Sequence, residues 1–335
     1  MKTYRNRARH SRGFTLVEML VVLAILVALA SIAVTSLEGV QDQARNDATQ
    51  RGMQSIEDAV LGQQNLHTPD GVPVITGFVA DIGRLPKAAI KTVNGVSQTQ
   101  PQELWDNPYG LAAFGIKQAV IGNIPTGTAG TAPTGDEDSE VYVPCGWRGP
   151  YLRLGIGQSA LADGWGNPFE LLKVDRTPVA VTPTPDEISI VRSLGVDNVR
   201  NSTATNDYRE DVYVNFNTSA FSGASTGQEY PAVSASDNYH APLTVSVRNY
   251  DASPISAGVT VTLKYYGPDP ATGKIKVFTS AQTVATSSAN ITFVISDPAI
   301  TIGSRVLRAY DGTRKSAATP VVLLRTGNSQ ELVLY

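Results

Sequence analysis

The hydrophobic pattern near the N-terminus predicts one long helix with two different halves. Every residue from 19 to 34 is apolar except Ser31, and residues 14–36 give roughly the 20 positions that a bilayer-spanning helix needs. Beyond them, apolar residues recur at helical spacing, with charged residues between them: Val40, Ala44, Ala48, Met53, Ile56 and Val60. We therefore predict a helix over residues 14–64, transmembrane over about 14–36 and packed on a globular head over its second half.

Alternation of apolar and polar residues after the helix predicts strands in two groups. The first group, residues 169–174, 187–192 and 211–216, should form a small antiparallel sheet against the helix. The second group consists of seven short segments, punctuated by turn residues: 243–248, 259–266, 275–279, 290–295, 305–310, 320–325 and 331–335. The predicted fold class is α+β, a long helix with a small sheet followed by an all-β immunoglobulin-like sandwich.

These elements divide the chain into five parts. Residues 1–13 form a basic leader, 14–64 the helix, 65–216 a globular head, 217–240 a linker rich in Ser, Ala, Gly and Asn, and 241–335 the sandwich. A chain of 335 residues is long enough for two such folded units.

Charge is distributed unevenly along the chain. Without the five leader cations, the formal net charge goes from −3 to −8, so the body is acidic and a nucleic-acid surface is not expected. The basic leader is instead typical of a segment that stays on the cytoplasmic side of a membrane. Cys145 is the only cysteine, which excludes an intrachain disulfide and a cysteine metal cluster.

One carboxylate, Glu18, stands near the start of the apolar segment, where a buried charge is costly and usually functional. With the run Gly13, Phe14, Thr15, Leu16 and Val17 before it, this arrangement resembles the prepilin signal of type IV pilins and type II secretion pseudopilins. Two alternatives remain open. Residues 28–30 form an A-x-A site of the kind found in secretory signal peptides, and the segment could also be a plain signal anchor.

The resemblance implies a pathway for the chain. A prepilin peptidase would cut after Gly13, and the new terminus at Phe14 would be N-methylated. The protein would cross the bacterial inner membrane once, N-terminus cytoplasmic and head periplasmic, before it joins a periplasmic or cell-surface filament. There, the α-amine of Phe14 would neutralise Glu18 of a neighbouring subunit. The implied partners are copies of itself, other pilins or pseudopilins, the peptidase and an inner-membrane assembly platform.

A second stretch resembles the major pseudopilin of type II secretion. The turn at residues 163–169 is similar to that family's D-x-W-G-N-P-aromatic motif, and residues 193–195 match its Ser-Leu-Gly stretch. In the family an acidic, calcium-binding loop follows. The resemblance implies a Ca²⁺ site here, for which oxygen donors are required. The candidate ligands are Leu194 through its carbonyl, Asp197, Asn198, Asp207 and Asp211. A solvated polar loop is the alternative.

No sequence signature of catalysis is present. The three histidines lack Cys or Glu neighbours at ligand spacing, and neither H-E-x-x-H nor G-x-S-x-G occurs. We therefore expect a structural subunit rather than an enzyme, most specifically a type II secretion pseudopilin. The alternatives are a type IV pilus subunit, or a minor pilin at the filament tip whose sandwich acts as an adhesin or binding module.

Overall fold

The computed structural model describes most of the chain after residue 14. The described residues are 15–63, 76–93, 95–107, 119–120, 142–143, 146–200, 208, 211–216, 239, 241–268, 275–295, 300–324 and 327–335; of residues 32–38 only the helical backbone is described. The predicted leader, Gly13, Phe14 and Asp207 lie outside these residues, as does the predicted linker apart from Tyr239.

The predicted long helix is present as α1, Leu16–Leu61, and it ends at Gly62, whose φ of 85° closes the last turn. Its buried face begins at Thr49 and continues through Met53, Ile56 and Val60. The earlier positions predicted for this face, Val40, Ala44 and Ala48, are instead exposed, because the described residues of the head reach along the helix only to about Arg45. Among the described residues, no helix combines the length and hydropathy expected of a membrane-crossing segment.

The head contains the predicted antiparallel sheet, in the order β5–β6–β7. A short helix and two hairpins accompany it. The elements of the head are α2 (Phe78–Ile82), β1 (Ala89–Val93), β2 (Val96–Gln100), a 3₁₀ turn (Gln102–Leu104), β3 (Ala119–Val120), β4 (Tyr142–Val143), β5 (Glu170–Leu172), β6 (Ile190–Ser193) and β7 (Val212–Asn215). Side chains of α1, α2 and the sheet share one buried cluster, so the second half of α1 is part of the core of the head.

All seven strands predicted for the C-terminal part are found. They are β8 (Leu243–Asn249), β9 (Thr260–Pro268), β10 (Ile275–Thr283), β11 (Asn290–Ile295), β12 (Gly303–Tyr310), β13 (Thr319–Leu323) and β14 (Asn328–Leu334). They form one sheet in the order β10–β9–β12–β13 and another in the order β11–β8–β14. If β8 to β14 are lettered A to G in chain order, the two sheets have the strand orders CBEF and DAG. Immunoglobulin constant domains instead have the orders ABED and CFG.

The difference in strand order results from long-range pairing. The first strand of the sandwich, β8, pairs in parallel with the last strand, β14, and antiparallel with β11. Local alternation predicts where strands lie but carries no information on which strands pair, so the order of the strands could not be predicted from the sequence.

The head and the sandwich contact each other through α2 and the start of β12. Gly303, at φ 113°, lies so close to α2 that a Cβ there would be 2.5 Å from the carbonyl oxygen of Ala80. Arg305 is fully buried at this junction and donates from Nη1 to the same Ala80 oxygen, at 2.8 Å. Its Nε donates to the Tyr265 hydroxyl at 3.0 Å, which anchors it in the sandwich.

Tyr239, near the end of the predicted linker, lies next to the last residue of the head. Its hydroxyl donates to the carbonyl of Phe216, and its own carbonyl accepts from Ile302 at 2.9 Å. The two ends of the segment therefore meet at the junction. The sandwich is attached to the head by buried contacts in addition to the chain itself.

Candidate functional site

The start of α1 is built around Thr15 and Glu18. Thr15 is the N-cap, and its Oγ1 accepts from the backbone N–H of Glu18 at 3.2 Å. In return, Oε2 of Glu18 accepts from the Thr15 N–H at 2.8 Å and from the Thr15 hydroxyl at 3.0 Å. This reciprocal capping box satisfies backbone donors that the first helical turn leaves without partners. Glu18 is thus held in position by its own chain.

The helix around Glu18 presents a continuous apolar surface. The exposed large side chains of this stretch are Leu16, Val17, Met19, Leu20, Val21, Val22, Leu23, Ile25, Leu26, Val27 and Leu29. An apolar surface of this extent is unusual for a soluble monomer and indicates contact with lipid or with other helices. The only carboxylate within it, between Leu16 and Leu29, is that of Glu18.

The turn at residues 163–168 connects the head to α1 through hydrogen bonds. Oδ1 of Asp163 accepts from the backbone of Trp165 at 3.0 Å and of Asn167 at 2.8 Å, and its Oδ2 accepts from the Ser193 hydroxyl at 2.8 Å. The N–H of Gly164 donates to Oγ1 of Thr49 on α1, at 2.9 Å. Asp163 therefore links three elements: the turn, the end of β6 and, through Gly164, the helix.

The loop after β6 contains the residues predicted to bind calcium. Leu194 is half-buried; Asp197 accepts from the Val199 N–H at 3.1 Å; and Asn198 adopts a left-handed backbone with φ 54°. At the far end of the loop, Oδ2 of Asp211 lies 3.4 Å from Nη1 of Arg192.

The described members of this set do not by themselves complete a calcium site. Ca²⁺ requires six to eight oxygen ligands, and a guanidinium at 3.4 Å from Asp211 would repel a divalent cation bound to the same carboxylate. Within the described ranges, no group of three or more His, Cys, Asp or Glu side chains could hold a metal. Asp207 lies outside those ranges, so calcium binding remains a prediction.

A second cluster of charged residues lies where the head meets the sandwich, and no sequence motif predicted it. Asp81 on α2 is buried and accepts from Nε of Arg148 at 2.9 Å and from the Tyr151 hydroxyl at 2.8 Å. Burial raises the pKa of Asp81, because the loss of hydration outweighs the opposing effects of Arg148, Tyr151 and Arg305. Burial and the adjacent Asp81 carboxylate likewise raise the pKa of Tyr151.

Sequence reasoning missed this group because its members lie far apart in the chain. Asp81 and Arg148 are separated by 67 residues, and Ala80 and Arg305 by 225. The hairpin β1–β2 was missed too, although Asn94-Gly95 between two alternating segments is a known hairpin signal and could have revealed it.

Comparison with known proteins agrees with the N-terminal pattern. A prokaryotic N-terminal methylation motif matches residues 8–34. The chain is also similar to the type II secretion system core protein G of Klebsiella michiganensis, at 27% identity over 133 residues, which is 39% of this chain and 93% of that protein. No solved structure matches significantly. The chain is therefore pseudopilin-like, with a prepilin-type N-terminal motif and much of its length outside that similarity.

Proposed function

We propose that this protein is a structural subunit of a pilus-like filament, most specifically a pseudopilin of a type II secretion system that assembles through its N-terminal helix. The observation that carries the proposal is Glu18, a single carboxylate in an exposed apolar helix surface, four residues after Phe14 at the junction with Gly13. An exposed apolar surface of this kind indicates that lipid or neighbouring helices pack against it.

In the proposed pathway, a prepilin peptidase removes residues 1–13, and Phe14 becomes the N-methylated terminus. The subunit is held in the inner membrane by the first half of α1, with its head in the periplasm. It then joins copies of itself and other pseudopilins at an assembly platform. The protein's own role in this pathway is structural, and no catalytic step is assigned to it. N-terminal sequencing of the mature protein should begin at N-methylated Phe14; a start at Met1 or Ser31 would support the alternatives instead.

Electrostatics explains how Glu18 directs assembly. The α-amine of Phe14 is a cation on one subunit, and Glu18 is an anion on its neighbour. Within a bundle of apolar helices an unpaired charge is strongly destabilising, so the stagger that pairs the two is preferred over others. Because the Thr15 cap already holds Glu18, its carboxylate is oriented before the neighbour arrives.

Two substitutions separate the charge of Glu18 from its role as a cap. Glu18→Ala removes both, whereas Glu18→Gln keeps an oxygen for the Thr15 N–H and removes only the charge. Filament yield from sheared cells, normalised to subunit level, is the measurement. We expect both variants to lose filaments, and Gln43→Ala, on the exposed surface of α1, to assemble normally.

Normal assembly of Glu18→Gln would contradict charge pairing and leave only a capping role. Thr15→Val tests that role directly, because it removes the cap hydroxyl at a cost of about 1 kcal/mol to the helix start. We expect this variant to assemble at reduced yield, since the charge of Glu18 remains.

A second candidate function is suggested by the size and attachment of the sandwich. The similarity to core protein G spans only 39% of the chain, and the sandwich is joined to the head by buried contacts that would present it rigidly. A type IV pilus subunit, or a minor pilin at the tip with the sandwich as adhesin, would use such an arrangement. Deletion of the gene separates these functions: loss of exoprotein secretion supports the pseudopilin, and loss of surface pili the alternative. A tip protein would also be rare in purified filaments.

A further inference from the structure

Four charged side chains meet where the loop after β6 leaves and rejoins the head sheet. Glu170 on β5 is the register partner of Arg192 on β6. Asp211 directly precedes β7, and Arg200 lies within the loop. The side chains of Glu170, Arg192 and Asp211 are only 13%, 16% and 11% exposed. Charges this deeply placed require partners.

The guanidinium of Arg192 lies between the two carboxylates. Its Nε donates to Oε2 of Glu170 at 2.9 Å, and its Nη1 is 3.4 Å from Oδ2 of Asp211. Arg200 forms an ion pair with the other oxygen of Glu170, Oε1. These four side chains comprise two guanidinium groups and two carboxylates.

Their positions connect both ends and the middle of the loop. Arg192, on the strand β6 before the loop, pairs with Asp211 at the end of the loop. Arg200, within the loop, pairs with Glu170 on β5. A planar guanidinium suits such bridging, because its five N–H donors can serve two carboxylates at once. A calcium ion in the same place would have to displace Arg192 and leave it without these carboxylates.

We propose that the guanidinium groups of Arg192 and Arg200 close the loop after β6 and take the role of a bound divalent cation, so that the fold of this subunit does not depend on calcium. Arg192 is a positioning residue in this arrangement. The proposal concerns the stability of the single subunit, so it can fail while filament assembly stands, and the reverse. It is the alternative to the calcium site predicted from the sequence.

The test is thermal unfolding of the full mature chain in detergent micelles, with either millimolar CaCl₂ or EGTA. We expect the wild-type Tm to be the same in both. Arg192→Gln should lower the Tm in EGTA by about 5–10 °C, because it removes the guanidinium that lies between the carboxylates of Glu170 and Asp211. Calcium should restore part of this loss, since the two carboxylates then become available as ligands.

Calcium sensitivity that appears only when Arg192 is replaced is the signature of the proposal. A merely structural arginine would lower the Tm equally in calcium and in EGTA, which would overturn it. A wild-type Tm that rises in calcium would overturn it as well, in favour of the predicted metal site. Arg153→Gln is the matched control, because Arg153 is exposed on the surface of the head; its Tm should equal that of the wild type.

Arg200→Gln provides a milder variant should Arg192→Gln fail to fold. Arg200 is 59% exposed, so the fold should survive its loss. We expect faster cleavage of the loop in limited proteolysis than in the wild type, and slower cleavage again when calcium is added. Cleavage at the wild-type rate would contradict a role for Arg200 in closing the loop.

Discussion

Arg305 shows how one side chain can join two folded parts. It is completely buried, and the groups that accept its hydrogen bonds are neutral: the Tyr265 and Thr301 hydroxyls and the carbonyls of Ala80, Ile302 and Ser304. Its charge is partly compensated by the nearby carboxylate of Asp81. A lysine could not reproduce this geometry, because one ammonium group cannot reach acceptors spread around a planar fork.

Replacement of Arg305 by Met should destabilise the protein by about 3 kcal/mol or more, because buried acceptors such as the Tyr265 hydroxyl would lose their partner. Denaturant unfolding of the full chain in detergent measures this loss. Arg305→Lys should recover only part of it. Arg153→Met, at an exposed position, should change the free energy of unfolding little. A wild-type value for Arg305→Met would show that the junction does not depend on this charge.

Asp81 gives the junction a pH dependence whose sign follows from burial. Its pKa is raised above the ordinary 3.8, so between that value and the raised one the folded state binds more protons than the unfolded state. The stability contributed by this site is therefore largest below pH 3.8 and falls as the pH rises through the raised value. Glu187, whose pKa is also raised by burial, should add a slope of the same sign.

We expect Asp81→Asn to show a weaker dependence of the free energy of unfolding on pH, because the contribution of Asp81 is removed. The measurement is the free energy of unfolding as a function of pH through the acid range, compared between wild type and variant. Gln43→Ala is the control, because it adds and removes no titrating group. A variant profile parallel to the wild type would mean that Asp81 titrates as an ordinary carboxyl. A direct NMR titration of the carboxyl carbons should then give the same answer.

At the scale of elements, the second half of α1 is defined by what packs on it. The turn at residues 163–168 comes so close to the helix that a Cβ on Gly164 would lie 1.9 Å from the backbone oxygen of Arg45. No side chain fits in this space. The glycine therefore sets the distance between the turn and the helix, and with it the point along α1 where burial begins.

Gly164→Ala should cost about 2–3 kcal/mol, because the turn must move away from α1 and strain the Gly164–Thr49 hydrogen bond. Gly39→Ala is the control, and its expected effect on stability has the opposite sign. Gly39 lies inside α1 with open space around its Cα, so alanine should stabilise the helix by up to about 1 kcal/mol. Thermal unfolding of both variants is the test, and equal effects at the two glycines would contradict the close contact.

At the scale of the whole molecule, the sandwich and the head are joined where α2 meets β12. Gly303 permits the close approach, Arg305 bonds across it, and Tyr239 brings the chain back to Phe216. An interface with a buried charge and a shared apolar cluster resembles the interior of one domain more than a contact between independent modules.

We expect the full chain to unfold in one cooperative transition, since neither part can leave the junction without exposing Arg305 and Asp81. Far-UV circular dichroism and tryptophan fluorescence should report the same midpoint. The two signals weight different parts of the molecule, because Trp147 and Trp165 lie in the head while most strand residues are in the sandwich. Arg305→Met should separate the two midpoints. Two transitions in the wild type would show that the sandwich folds independently.

Much of the fold was predictable because its signals are local. The apolar run and its helical continuation predicted α1 with an error of a few residues at each end, and alternation between turn residues predicted β5–β14, ten strands in all. The capping box of Thr15 and Glu18 was not predicted, although its four-residue pattern is equally local. The ion pairs of Arg192 could not be predicted, because Glu170 and Asp211 become its neighbours only when three strands align.

The sequence by itself thus determined where helix and strands lie, the prepilin-type start and the acidic character of the body, because each depends on residues close together in the chain. Only the tertiary structure decided the order of the sandwich strands, the buried junction at Arg305 and the cation that faces Asp211. Those features depend on which distant segments meet. Pairing is settled by packing and by the cost of leaving buried charges without partners, neither of which is visible in a local pattern.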